Sequence, residues 1–137
     1  MKKYVLDANA MIALLQDELG SDIVASAINS AVYGEAEISM NIVNLLEVYY
    51  DAYRLRGKDQ ADTMLSEIKK RPIMINSIVS DEIFNEAGRL KATYKISLAD
   101  SFALAQAFVS GGELLTSDHH EFDIIEKNEP IVFHWIR

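Results

Sequence analysis

Four acidic residues in this chain could do chemistry together: Asp7, Glu47, Asp100 and Asp118. They are far apart in sequence, so only a fold could gather them. Like charges brought to one point do not all stay ionised unless a cation compensates them. Oxygen-only ligation selects a hard divalent ion, Mg²⁺ or Mn²⁺. One such ion, or a pair, activates a water and neutralises charge as a phosphodiester is displaced in line.

Each acid also has a plainer explanation. Asp7 directly follows a short apolar run and could simply cap a helix beginning at Ala8, although Asn9 could cap instead. Asp100 lies three residues after Ser97, the spacing of a capping box. Its helix is apolar nearly all round, and Ala103, Leu104 and Ala107 offer it no cation. Glu47 has Asp51, a like charge, at i+4. The helical phase centres an apolar arc on Ile42, Leu46, Tyr49 and Tyr53, and leaves Glu47 as a solvated boundary residue. Asp118 belongs to a polar run from Thr116 to Asp123 that reads equally well as a surface loop.

Other chemistries find no support. The chain has no cysteine, which removes disulfides, zinc–thiolate sites, iron–sulfur clusters and thiol nucleophiles. His119 and His120 are adjacent in a predicted loop and lack a third nitrogen or sulfur ligand at a zinc spacing. There is no phosphate-binding glycine loop and no nucleophile elbow. A phosphatase with an Asp nucleophile wants a second Asp where Asn9 stands. A receiver wants a late lysine after a strand, and Lys127 follows none.

The positioning elements follow from patterning. Short apolar runs at 3–6, 38–40, 73–75, 113–116 and 131–135 read as strands. Helical patterns fill 8–16, 21–34, 42–56, 58–70, 80–94 and 97–109, with a short one at 124–126. Alternation of this kind makes an α/β domain with a mainly parallel sheet, whose sites lie at the carboxyl ends of strands. The 137 residues suit one domain. No stretch approaches ~20 uninterrupted apolar residues, so no membrane span is expected, and the N-terminal apolar run stops at Asp7, too early for a signal peptide. A cytoplasmic location is the expectation.

Net charge is −8, but it is unevenly spread. Residues 1–53 carry −6, residues 54–95 carry +3 and residues 96–137 carry −5. The ends supply the acids; the middle could supply phosphate contacts.

With these residues in view, the chain resembles the PIN-domain family over its whole length, and is most similar to VapC-type toxin ribonucleases. The resemblance rests on Tyr4-Val5-Leu6-Asp7-Ala8-Asn9, Asn44-Leu45-Leu46-Glu47-Val48, Leu98-Ala99-Asp100-Ser101-Phe102-Ala103-Leu104-Ala105 and Leu114-Leu115-Thr116-Ser117-Asp118. It implies a single PIN-like domain over 1–137, a three-layer α/β/α fold with a short, mainly parallel central sheet surrounded by helices. It implies a Mg²⁺- or Mn²⁺-dependent endoribonuclease with Asp7, Glu47, Asp100 and Asp118 as catalytic metal ligands. It also implies accessory contacts from Asn9 and from Thr116 or Ser117. Where the family often has a further acid two residues after the last motif Asp, this chain has His120, with Glu121 and Asp123 nearby. Schemes with one ion and with two both stay open. An RNA substrate, a cognate antitoxin and a homodimer are the implied partners. A catalytically silent PIN-fold module that binds RNA or protein is the competing expectation.

Overall fold

A computed structural model describes all of residues 1–137. Five strands, β1 (Lys2–Leu6), β2 (Ala36–Asn41), β3 (Met74–Asn76), β4 (Glu113–Thr116) and β5 (Val132–Trp135), form one sheet in the order β3-β2-β1-β4-β5. Every pairing is parallel, so the sheet is wholly parallel and not merely mainly so. A parallel sheet needs both faces covered. Alternation along the strands divides the apolar residues accordingly. Leu6, Ile38, Met40 and Leu115 pack beneath α1 (Ala8–Leu15), α2 (Ser21–Val32), α3 (Ile42–Arg56) and α4 (Lys58–Lys69). Val5 and Leu114 pack beneath α5 (Asp81–Thr93), α6 (Leu98–Ser110) and α7 (His119–Asn128). The result is the expected α/β/α sandwich with two hydrophobic cores.

The chain starts at the sheet centre, winds out to β3, then returns to β4 beside β1. The reversal of direction between β1 and β4 is a topological switch point, where open α/β sheets form a crevice at the carboxyl edge. Leu6 pairs with Leu115 there, and the next residue, Asp7, donates its backbone N–H to the Leu115 carbonyl at 3.4 Å.

Two expectations fail. The polar run after β4 is not a loop: Asp118 caps a ten-residue helix, α7, that begins at His119 and buries Phe122 and Ile125. Consequently the two histidines diverge. His119 stacks on Trp135 with ring centroids 3.6 Å apart, while His120 is solvated. The phase of α3 is also different. Its buried stripe is Asn44, Leu45 and Val48, and Ile42, Leu46 and Tyr53 are exposed. Buried amides at Asn41 and Asn44 mislead a reading that equates burial with apolarity.

Candidate metal centre

The carboxyl edge of the sheet opens into a cavity of about 270 Å³ lined by Asp7, Glu47, Asp100, Asp118 and Glu121, together with Ala8, Asn9 and Ser97. The four acids singled out from sequence therefore meet, each from a different element. Thr116 lies behind the cavity, fully buried. Ser117 does not line it, and Asp123 turns away to hydrogen-bond the His119 ring at 2.8 Å. Of the later acids, Glu121 is the one at the site, because it falls one turn into α7 below its cap. Ser97 was missed as a lining residue. Its one sequence signal was its capping role toward Asp100.

The three aspartates are each tied to a helix N-terminus. Asp7 Oδ1 accepts from the Ala10 N–H at 2.8 Å and caps α1. Asp100 accepts from the Ser97 N–H at 3.4 Å while Ser97 Oγ accepts from the Asp100 N–H at 3.0 Å, completing the capping box of α6. Asp118 Oδ1 accepts from the Glu121 N–H at 3.2 Å and caps α7. The structural and functional explanations are thus not exclusive. Three helix N-termini point their positive dipole ends at one cavity, which stabilises negative charge there.

That help is incomplete. Burial pushes the Asp7 carboxyl up to about 7, with the charges of Asp100 and Asp118 adding to the rise. Hydrogen bonds from the Thr116 hydroxyl and the Ala10 N–H oppose it. Burial also raises Asp100, held back by Ser97 and pushed further by Asp118 and Glu121. Glu47, half-buried, is raised by burial and by the charges of Asp100 and Asp51, against a hydrogen-bonding contribution from Asn44. No lysine, arginine or histidine lines the cavity. The side chains as placed do not converge into a ready-made cage of three or more ligands. Chemically the set fits one partner class: several carboxylate oxygens, no soft donor and no internal counter-charge call for a hard divalent cation.

A wholly parallel α/β sandwich with an acid-lined crevice at its switch point defines the class of protein to which this chain belongs. Residues 4–128 match the PIN domain family model, and the chain is a member of the PIN-domain family. Solved structures share its fold. A chain of DNA-bound VapBC from Salmonella typhimurium superposes with a TM-score of 0.75 at 14% identity, covering 100% of each chain. A chain of VapBC2 from Rickettsia felis, bound to a DNA fragment from its promoter, gives 0.74 at 19% identity, covering 97% of this chain and 98% of that one. VapC20 of Mycobacterium tuberculosis, a Sarcin-Ricin loop cleaving toxin, gives 0.56 at 14% identity, covering 81% and 86%. No match is found among curated protein sequences.

Proposed function

We propose that this protein is a Mg²⁺- or Mn²⁺-dependent endoribonuclease and the toxin of a cytoplasmic toxin–antitoxin pair. The observation that carries this reading is the meeting of Asp7, Glu47, Asp100 and Asp118, from four separate elements, around one cavity with no cation of its own. The Sarcin-Ricin loop cleavage by VapC20 and the toxin–antitoxin complexes among the structures that share the fold support the substrate and partner assignments.

Asp7, Glu47, Asp100 and Asp118 would hold the ion, with Glu121 the accessory acid for a second one. When bound, a divalent ion supplies Lewis acidity toward a phosphodiester and favours ionisation of water. The chain's own residues do the rest. Without an ion, burial keeps a proton on Asp7 up to near-neutral pH, so loading the ion would release that proton. The N-termini of α1, α6 and α7 hold the Asp7, Asp100 and Asp118 carboxylates in place at the crevice. Asn9, exposed at the rim, offers an amide to the sugar or phosphate.

The basic middle segment contributes less than its charge suggests. Arg54 pairs with Asp51, Lys58 with Asp62, Lys70 with Glu67, and Arg89 with Glu86 and Glu129. Arg56, Lys69, Arg71, Lys91 and Lys95 make no ion pair and are the bases free to meet a phosphate backbone. Lys95 stands two residues before Ser97, closest in sequence to the cavity lining.

The test is cleavage of mixed RNA by the purified protein with Mg²⁺ or Mn²⁺. Activity should vanish in excess EDTA and fall by at least about 100-fold in Asp100→Asn, with the melting curve in EDTA not lowered. An active Asp100→Asn protein, or cleavage undiminished by EDTA, overturns the proposal. Intact RNA binding without any cleavage would identify the silent module instead.

A further inference from the structure

Glu47 and Asp100 sit on α3 and α6, which cross at the rim of the cavity. Two buried amides join these helices. Asn41 caps α3 by accepting from the Val43 N–H at 2.9 Å, and its Nδ2 donates to Gln106 Oε1 at 3.1 Å. One turn further along α3, Asn44 Nδ2 donates to the Ala99 carbonyl at 3.1 Å, on the residue just before Asp100. Asn44 precedes Glu47 by three positions, so the two side chains are neighbours on the helix.

Asn44 is a poor choice if stability alone is at stake. It is 1% exposed, and its Oδ1 is the one buried side-chain polar atom in the protein with no hydrogen-bond partner. A buried acceptor left unsatisfied loses its hydration without compensation, and an apolar residue of the same shape would avoid that loss. What an apolar residue could not do is fix the first turn of α6 against the turn of α3 that carries Glu47. Residues behind metal ligands orient them and tune their affinity.

We infer that Asn44 is a positioning residue, which sets the separation and orientation of the Glu47 and Asp100 carboxylates for a shared divalent ion through its hydrogen bond to the Ala99 carbonyl. This rests on the metal site proposed above and deepens it. The test is Mn²⁺ binding to the full chain by calorimetry and by the electron paramagnetic resonance spectrum of the bound ion, alongside melting in EDTA. Asn44→Leu should melt no lower than wild type. It should bind Mn²⁺ about 10–100-fold more weakly, with an altered spectrum. Wild-type affinity and an unchanged spectrum in Asn44→Leu overturn the inference. If the leucine does not fit and that variant fails to fold, Asn44→Ala, which leaves space, decides by the same two readouts. A wild-type protein that binds no Mn²⁺ overturns the metal site itself, and the role of Asn44 with it.

Discussion

The proton on Asp7 links site chemistry to stability. Its carboxyl goes from 3.8 in the unfolded chain to about 7 in the fold, chiefly through burial. The folded state therefore binds this proton more tightly than the unfolded state. Its contribution is fully present below about pH 4 and is lost as pH rises through 7. The difference corresponds to about 4 kcal/mol, an upper bound for the metal-free protein. Asn at this position keeps a side-chain oxygen for the Ala10 N–H and carries no charge. Asp7→Asn should thus be more stable than wild type in EDTA at pH 8, by a margin that shrinks toward pH 4. Urea unfolding at both pH values checks this. Equal stability at pH 8 would mean that Asp7 is not strained by its burial. The same substitution should abolish RNA cleavage, so that stability and activity move in opposite directions, as expected where a fold holds charge for function.

Among the elements, the C-terminal segment and the α1–α2 turn lock together behind the site. Gly20, the residue before α2, has φ 98°, and a Cβ there would lie 2.5 Å from the Ile136 carbonyl oxygen. The Ile136 N–H in turn donates to the carbonyl of Thr116, whose hydroxyl oxygen accepts from the Asp118 N–H at 3.1 Å. Gly20→Ala should cost about 2–4 kcal/mol, from a left-handed backbone and a clash with backbone that cannot rotate away. A urea midpoint shift worth under about 1 kcal/mol would show that the C-terminal segment gives way freely. The positions of these elements were largely legible in sequence, because buried strands of a parallel sheet leave short apolar runs and helix caps leave Ser, Asp or Asn at fixed spacing. Asp7, Asp100 and Asp118 were legible for the same reason: each sits at a strand or helix end. Glu47 was legible only through the company of the other acids, since helical phase placed it by apolar neighbours, and the true buried face of α3 includes Asn44. The α7 start was hidden because its cap and first turn, Asp118 to Glu121, are as polar as any loop. The pairing of β4 with β1, which brings Asp118 beside Asp7, is a long-range choice that no local pattern encodes.

For the whole molecule, charge and apolar surface make opposing demands on assembly. A net charge of −8 repels a second copy, and screening by salt weakens that repulsion. Yet α3 presents a stripe at helical spacing, Ile42, Leu46, Tyr50 and Tyr53, whose members are 41%, 55%, 47% and 46% exposed. The two cores do not absorb this surplus, and contiguous apolar stripes on a soluble surface mark contacts with partners. A two-fold dimer would pack this stripe on its own copy, as isologous interfaces do. Two acids flank it, Asp51 and Glu47. Asp51 is neutralised by Arg54, and Glu47 faces the cavity. The repulsion left at such an interface is therefore smaller than the net charge implies. Wild type should run as a dimer in light scattering at tens of micromolar, with a dissociation constant that falls as salt rises. Leu46→Glu places a new charge at the centre of the stripe and should give a monomer that still melts cooperatively, since Leu46 lies outside both cores. If wild type is monomeric under these conditions, the homodimer is wrong, and the stripe is left for the antitoxin proposed above. In that case Leu46→Glu should weaken antitoxin capture and leave RNA cleavage by the free protein unchanged.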